Sequence, residues 1–360
     1  MGNKNDTGNN AIPTPTLPHQ PQRQLSIKDI ARIAHVSHPT VSRALQNSPL
    51  VSTKTAEKIR QIAREAGYRP SALARGLVTR RTRTIGLAVT AISDPFTCEV
   101  ATGIEQAASD HGYRVFLADT NADPEREKKV VQAFAEQRVD GILVTSSRVG
   151  VLHMPLLAEM RVPIVLVNDQ HDEQPGVTVH SVLIRNEEGT RSLTQHLIEL
   201  GHRHIAYIGD QYGYQSDVER YTGYSGALEE AGIAVREELV VRGNGKPEAA
   251  VLAMNSLLAL REPPTAVVCY NDMTALGVMR SIRMRGLSIP GDVSVVGFDD
   301  LFLSAYTEPP LTTIRQPMRQ MGQQAMESLL KLMNGGQSAP QIHIAGEMIV
   351  RNSTAPVKKN

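Results

Sequence analysis

Cysteine is nearly absent: Cys98 and Cys269 are the two in 360 residues. Neither stands in a metal-type spacing, and Cys269 lies in the apolar run TAVVCYND. A disulfide framework is therefore excluded, and free buried thiols in a reducing compartment are expected. Long apolar runs are missing too, since no stretch approaches the roughly 18 residues of a membrane span. The opening MGNKNDTGNNAIPTPTLPHQPQRQ has no apolar core of a secretory signal. Its Asn, Pro, Thr and Gln content predicts a disordered arm, and the protein is expected to be cytoplasmic and away from membranes. Neither G-x-x-x-x-G-K-[ST] nor G-x-G-x-x-G occurs, so nucleotide hydrolysis and a dinucleotide cofactor have no support. Asp299-Asp300 diverge on a strand end with no nucleophile or base beside them. His202-Arg203-His204 has no Cys or carboxylate cluster nearby. No enzyme, metal site or cofactor is predicted.

Net charge is also small, +1 for the whole chain, yet it is strongly segregated. From Arg23 to Arg83 there are 13 Lys and Arg against 3 Asp and Glu, an excess of +10. Lys4 and Asp6 cancel, so the residues after Arg83 carry −9. Solubility needs no such separation by sign, whereas an anionic partner for the first segment explains it.

The basic segment contains SIKDIARIAHVSHPTVSRAL, residues 26–45. Ser26 and Asp29 form a capping box, followed by an apolar face of Ile27, Ile30, Ala31 and Ala34. His35, Val36 and Ser37 interrupt the helix, and Ser37 caps a second one with Pro39 in its first turn. Val41, Ala44 and Leu45 face inward there, leaving His38, Thr40, Ser42 and Arg43 as an outer face of hydrogen-bond donors. This reads as a helix-turn-helix with a polar recognition face. Ser52 caps a third helix that stops at Gly67. GYRPSALARGLVTRRTRT then forms an arginine-rich linker, with a short helix predicted over Ala72–Leu77 that is marginal by itself.

After Ile85 the texture becomes strand-helix alternation. IGLAV, YRVFLA, GILVT, PIVLVN, HIAYIG, TAVVCY and DVSVVGF are the strands. Glu99–His111, Glu125–Gln137, Glu187–Leu200, Val218–Ala231, Glu248–Leu260 and Asp272–Arg285 are the helices. Such alternation means parallel sheets covered by helices, here in two α/β lobes with a small-molecule site in the cleft between them.

The headpiece, GYRPSALARGL, TRTIGLAV, IELGHRHIAYIG, ERYTGYSGALEEAGI, CYNDMTALGVMRSIRMRGLSIPGDVSVVGFDD, PPLTTIRQ and VRNSTAP together resemble the lactose-repressor/galactose-repressor family, over about Leu25 to Pro356. The resemblance implies an all-α helix-turn-helix headpiece on a bilobal α/β core with two doubly wound parallel sheets, similar to periplasmic binding proteins. After the arm over 1–24 that composition predicts to be disordered, the resemblance implies a DNA-binding headpiece over 25–69 and a hinge helix over 70–84. The effector-binding and dimerisation core spans 85–360. One lobe covers about 85–185 with a late return near 311–316, and the other about 186–310 with 317–360. The implied partners are a double-stranded, pseudo-palindromic DNA operator, a second copy of the chain, and a small effector such as a sugar or related metabolite.

By position, the resemblance assigns DNA contacts to Ser37, His38, Pro39, Thr40 and Arg43, and a minor-groove wedge to Leu77 with Ala74 beside it. His35 stands where many relatives have Gly, and a positive φ is expected there. Ser71 and Gly76 replace the family's usual hinge residues. Effector contacts map to Phe96, Ser146, Asn168, Arg220, Asn271 and Asp299. Asn168 stands where several sugar-responsive members have Asp, which leaves sugars, nucleosides and phosphorylated compounds open as ligands. The expected function is a repressor switched by a small molecule. The rivals are the same repressor governed by a phosphorylated protein co-repressor and, more remotely, a solute-binding protein of a transport system. No leucine-heptad tail follows Arg351, which favours a dimer over a tetramer.

Overall fold

The computed structural model describes residues 25–45, 47–68, 81–147, 162–169 and 180–358. It divides into two compact units, Met1–Arg80 and Arg81–Asn360. The expected arm, and the hinge positions Ser71, Ala74, Gly76 and Leu77, lie outside the described residues.

The first unit holds three helices: α1 (Ile27–Ala34), α2 (His38–Leu45) and α3 (Thr53–Glu65). Both halves of the capping box at Ser26 and Asp29 are present, and His35 closes α1 in the left-handed region at φ 56°. That conformation is strained for most side chains and easier for His. Ser52 accepts from the Thr55 N–H to open α3. Gly67 (φ 63°) ends it, with Tyr68 N–H bonding back to the Ala63 carbonyl at 2.8 Å. Ile30, Val41, Ala44 and Ile59 are fully buried in one cluster.

In the second unit the chain runs β1 (Thr84–Val89), α4 (Pro95–Asp110), β2 (Arg114–Asp119), α5 (Pro124–Glu136), β3 (Gly141–Thr145), β4 (Ile164–Val167) and β5 (His180–Ile184). It continues through α6 (Asn186–Glu199), β6 (Ile205–Asp210), α7 (Gln215–Glu230), β7 (Val240–Gly243), α8 (Pro247–Leu258), β8 (Ala266–Cys269), α9 (Asp272–Met284) and β9 (Ser294–Val296). The last elements are β10 (Thr313–Arg315), α10 (Met318–Met333), β11 (Gln341–Ile344) and β12 (Glu347–Ile349). Each of the six helices expected after Ile85 is present within a few residues of its expected bounds, while the short helix expected over Ala72–Leu77 lies outside the described residues.

Two parallel sheets form. The first has six strands in the order β11-β5-β4-β3-β1-β2, the second four in the order β7-β6-β8-β9. Apolar clusters cover both faces of each. Among the described residues no helix is long and apolar enough to cross a membrane.

The structure corrects the expected division of the lobes. The sequence places 317–360 with the second lobe, and for 317–344 the structure differs. Instead, Met321, Met326 and Leu329 of α10 join the core of the first lobe, and β11 pairs with β5 at its edge. The return near 311–316, expected in the first lobe, belongs to the second. Thr312 bridges Val296, Arg315 bridges Asp299, and Ile314 is buried against Phe298. The tail then returns to the second lobe, with Val295 N–H donating to the Ser353 carbonyl at 2.9 Å. The chain therefore crosses between lobes at Arg185, at Gln316–Pro317 and between β11 and β12. A second correction is smaller: Cys269 is a buried free thiol as expected, but Cys98 is exposed.

Candidate functional site

In the headpiece, Ser37 accepts from the Thr40 N–H at 3.4 Å and pairs with the Thr40 hydroxyl at 2.8 Å, which anchors the start of α2. Burial of Val41 and Ala44 then fixes how α2 is rotated. Ser37, His38, Pro39 and Arg43 are left exposed, and Thr40 is half-buried. Arg60 of α3 donates to Asn47 at 2.7 Å, which ties the turn after α2 to α3. The result is a helix whose outward residues are an imidazole, a pyrrolidine, a hydroxyl and a guanidinium fork. The fork matches the paired acceptors of a guanine edge.

In the core, a cavity of about 520 Å³ opens between the lobes. Its lining comes from beyond the carboxyl ends of β1, β3 and β4 in the first lobe and of β6, β7 and β8 in the second, where parallel sheets place ligands. Phe96, Ser146, Asn168, Arg220, Asn271 and Asp299 all line it. Five of the ten described non-glycine residues with positive φ line it too: Asn121, Ala122, Ser146, Asn168 and Asp299. Strained backbone concentrated at one place is a mark of a site rather than of general packing.

The second lobe supplies the most ordered part. Arg220, 3% exposed, donates through Nε to Asn186 Oδ1 at 2.9 Å and through Nη1 to the Tyr270 carbonyl at 2.5 Å. Its guanidinium lies 3.8 Å over the Phe298 ring. Asp299 is held by its own backbone, whose N–H bonds to the Ile314 carbonyl at 2.8 Å. Burial pushes its carboxyl well above the ordinary range, opposed by the field of Arg220 and reinforced by Asp272 and Asp94. Asn271 is less free than its position suggests. It caps α9 by accepting from Thr274 N–H at 2.8 Å, and it donates to the Gly245 carbonyl at 3.2 Å.

Burial also raises Asp94 and Asp272, so these acids share a sign. A raised carboxyl favours the folded state while protonated. That contribution is whole below the ordinary value of 3.8 and is lost as pH climbs through the raised folded value. Asp299→Asn is therefore expected to flatten the decline of stability as pH rises above about 4. Urea titrations across that range check it, and an unchanged slope would remove Asp299 from the raised set.

Residues that sequence reasoning missed include Asp94, which caps α4 through Phe96 N–H at 3.2 Å, and Gln316 on the crossover into α10. Tyr212, Tyr214 and Tyr270 also line the cavity. A Pro after Asp94 signals the helix start; nothing local marks Gln316.

A pre-formed cavity between two hinged lobes, in the same chain as a helix-turn-helix, defines a ligand-regulated DNA-binding protein. Residues 26–71 match the family described as "Bacterial regulatory proteins, lacI family", and residues 194–354 match the "Periplasmic binding protein-like domain". The HTH-type transcriptional repressor PurR of Vibrio campbellii is 36% identical over 338 residues, covering 91% of this chain and 98% of that protein. A structure of the lac repressor dimer bound to operator and the anti-inducer ONPF has a TM-score of 0.82 at 28% identity, covering 92% and 100% of the two chains. The transcriptional regulator CelR in complex with cellobiose has a TM-score of 0.70 at 32% identity, with the same coverage. The chain belongs to the LacI family of bacterial regulatory proteins. It is a DNA-binding transcriptional repressor regulated by a small-molecule effector, and not an enzyme.

Proposed function

We propose that the repressor is a cytoplasmic homodimer that reads a pseudo-palindromic operator and that a sugar or related metabolite in the interlobe cavity sets its grip. The observation that carries this reading is the convergence of Phe96, Ser146, Asn168, Arg220, Asn271 and Asp299 on one cavity from separate strand ends and helices. Two headpieces place Ser37, His38, Pro39, Thr40 and Arg43 in successive major grooves, while Ala74 and Leu77 of each hinge enter the central minor groove and kink it. The effector shifts the lobe arrangement by its unequal affinity for the two states. That CelR forms a complex with cellobiose and the lac repressor with an anti-inducer supports a small organic ligand for this chain. Selection of bound duplexes from a random pool, repeated with sugars and nucleosides, tests the whole reading; no enrichment under any condition would defeat it.

Arg43→Ala is expected to cost about 1–3 kcal/mol of discrimination at one base pair of each half-site. Core stability and effector binding should stay as they are. Binding of operators mutated base by base checks this, and an unchanged preference at every position would refute the recognition role.

A further inference from the structure

The second unit begins at Arg81, three residues before β1, and one carboxylate holds the two residues that lead into that strand. Asp140, half-buried just before β3, accepts the Thr82 N–H on Oδ1 at 2.8 Å and the Arg83 N–H on Oδ2 at 2.9 Å. The Thr82 hydroxyl stands 2.9 Å from Asp140 Oδ1 and 2.9 Å from the Arg138 carbonyl, and its one hydrogen serves them in turn. The Asp140 N–H donates back to the Thr84 carbonyl at 2.8 Å. Arg81, one residue further out, donates to Asn334 Oδ1 at 3.0 Å, just past the end of α10.

The backbone at this place is not one the chain adopts freely. Arg83 sits at φ 53°. His35 and Arg138 share that region, but each follows the end of a helix, where it is usual; Arg83 follows none. An arginine in the left-handed region persists where its surroundings impose it. Here they do. The Arg83 carbonyl accepts from Arg114 N–H at 3.0 Å, and its guanidinium lies 5.6 Å over the Tyr113 ring and donates to the His111 carbonyl at 3.2 Å. The first residues of a compact unit are its loosest unless tied down. Arg81 and Arg83 are exposed and add little to the core, so what these bonds fix is a direction of departure.

Resting on the reading that two headpieces span a pseudo-palindromic operator, we propose that Asp140 is a positioning residue for DNA recognition. It sets the direction in which the connecting segment leaves the core. Two half-sites lie at a set separation, and both headpieces must be presented at it. A root free to swing has to be ordered on binding, once for each subunit. That penalty falls on the specific complex, in which both headpieces are in register. A headpiece on arbitrary DNA is held by phosphates and has no register to meet.

The test uses the full-length protein as wild type, Asp140→Asn and Thr82→Val. Asp140→Asn keeps the shape but turns one acceptor into a donor facing an N–H. Thr82→Val removes the hydroxyl alone, and should show a smaller loss of the same kind if Asp140→Asn folds poorly. Two duplexes are compared: the one that wild type enriches most from a random pool, and an unselected duplex of the same length. Asp140→Asn is expected to bind the selected duplex roughly tenfold more weakly, and the unselected one as before or more tightly, since one negative charge has gone. Amide exchange at Thr82 and Arg83 in the free protein should speed up, with the centres of β1 and β3 unchanged. A purely electrostatic role has the opposite sign and tightens both duplexes; a role in folding alone weakens both together. Either result overturns the proposal while the operator reading stands. So does a selective loss without faster exchange at Thr82 and Arg83, or faster exchange with an unchanged preference. No enrichment by wild type overturns the operator reading, and this proposal with it.

Discussion

Arg220→Met should lower the stability of the core by about 3–5 kcal/mol and abolish the response to effector, although methionine retains much of the buried stem. The stability loss has identifiable sources. Asn186 Oδ1 and the Tyr270 carbonyl lose their donor, and the Phe298 ring loses the guanidinium above it. Asp299 loses the guanidinium whose field pulls its carboxyl back toward the ionised form, so its burial is less opposed. Removing one member of such a set leaves the others buried and unpaired, a cost well above that of an exposed ion pair. Chemical denaturation measures the first effect, and the change in operator affinity on adding an effector found by ligand screening measures the second. A variant within about 1 kcal/mol of wild type would mean that Arg220 is not the brace of the second lobe. A variant that is destabilised yet keeps its full response to effector would separate the brace from the binding role.

The second large effect concerns the corrected lobe assignment. A Cβ built on Gly322 would meet the Val100 carbonyl oxygen at 2.2 Å, and one on Gly103 would meet the Arg319 carbonyl oxygen at 2.1 Å. The backbones of α4 and α10 therefore touch, and no side chain fits between them. Gly322→Leu must push the helices apart and open the cluster of Val100, Ile104, Met321 and Leu329. A loss of about 3 kcal/mol is expected, at the upper end of overpacking costs. Hydrogen exchange should show protection falling first in β1, β3 and β4 and least in β6 and β8. Loss confined to β6 and β8 would return α10 to the second lobe and refute the correction.

Much of the protein was legible because the signals are local. The capping box at Ser26, the interruption at His35 and the stop at Gly67 each depend on residues within one turn, and each is present in the structure. The helix-strand alternation was likewise readable from periods of 3.6 and 2. The effector residues were reached by resemblance, and their gathering in one cavity needed the fold. Where the reading failed, distance along the chain was the cause. It kept 317–344 with the second lobe, whereas β11 pairs with β5 across more than a hundred residues. Neither partner carries a mark of the other. β5 itself, HSVLI, passed unnoticed among longer apolar runs.

By itself the sequence determined the charge separation, the helix-turn-helix, the presence of parallel α/β lobes and the lack of enzyme motifs, because composition and short-range periodicity are properties of neighbouring residues. Only the tertiary structure decided how the last fifty residues are shared between the lobes, why Asn271 is tied to its own helix, and that the amide oxygen of Gln316 is stranded beside Asp299. Those outcomes depend on which surfaces close against each other, and burial, unlike propensity, is written in no single stretch of chain.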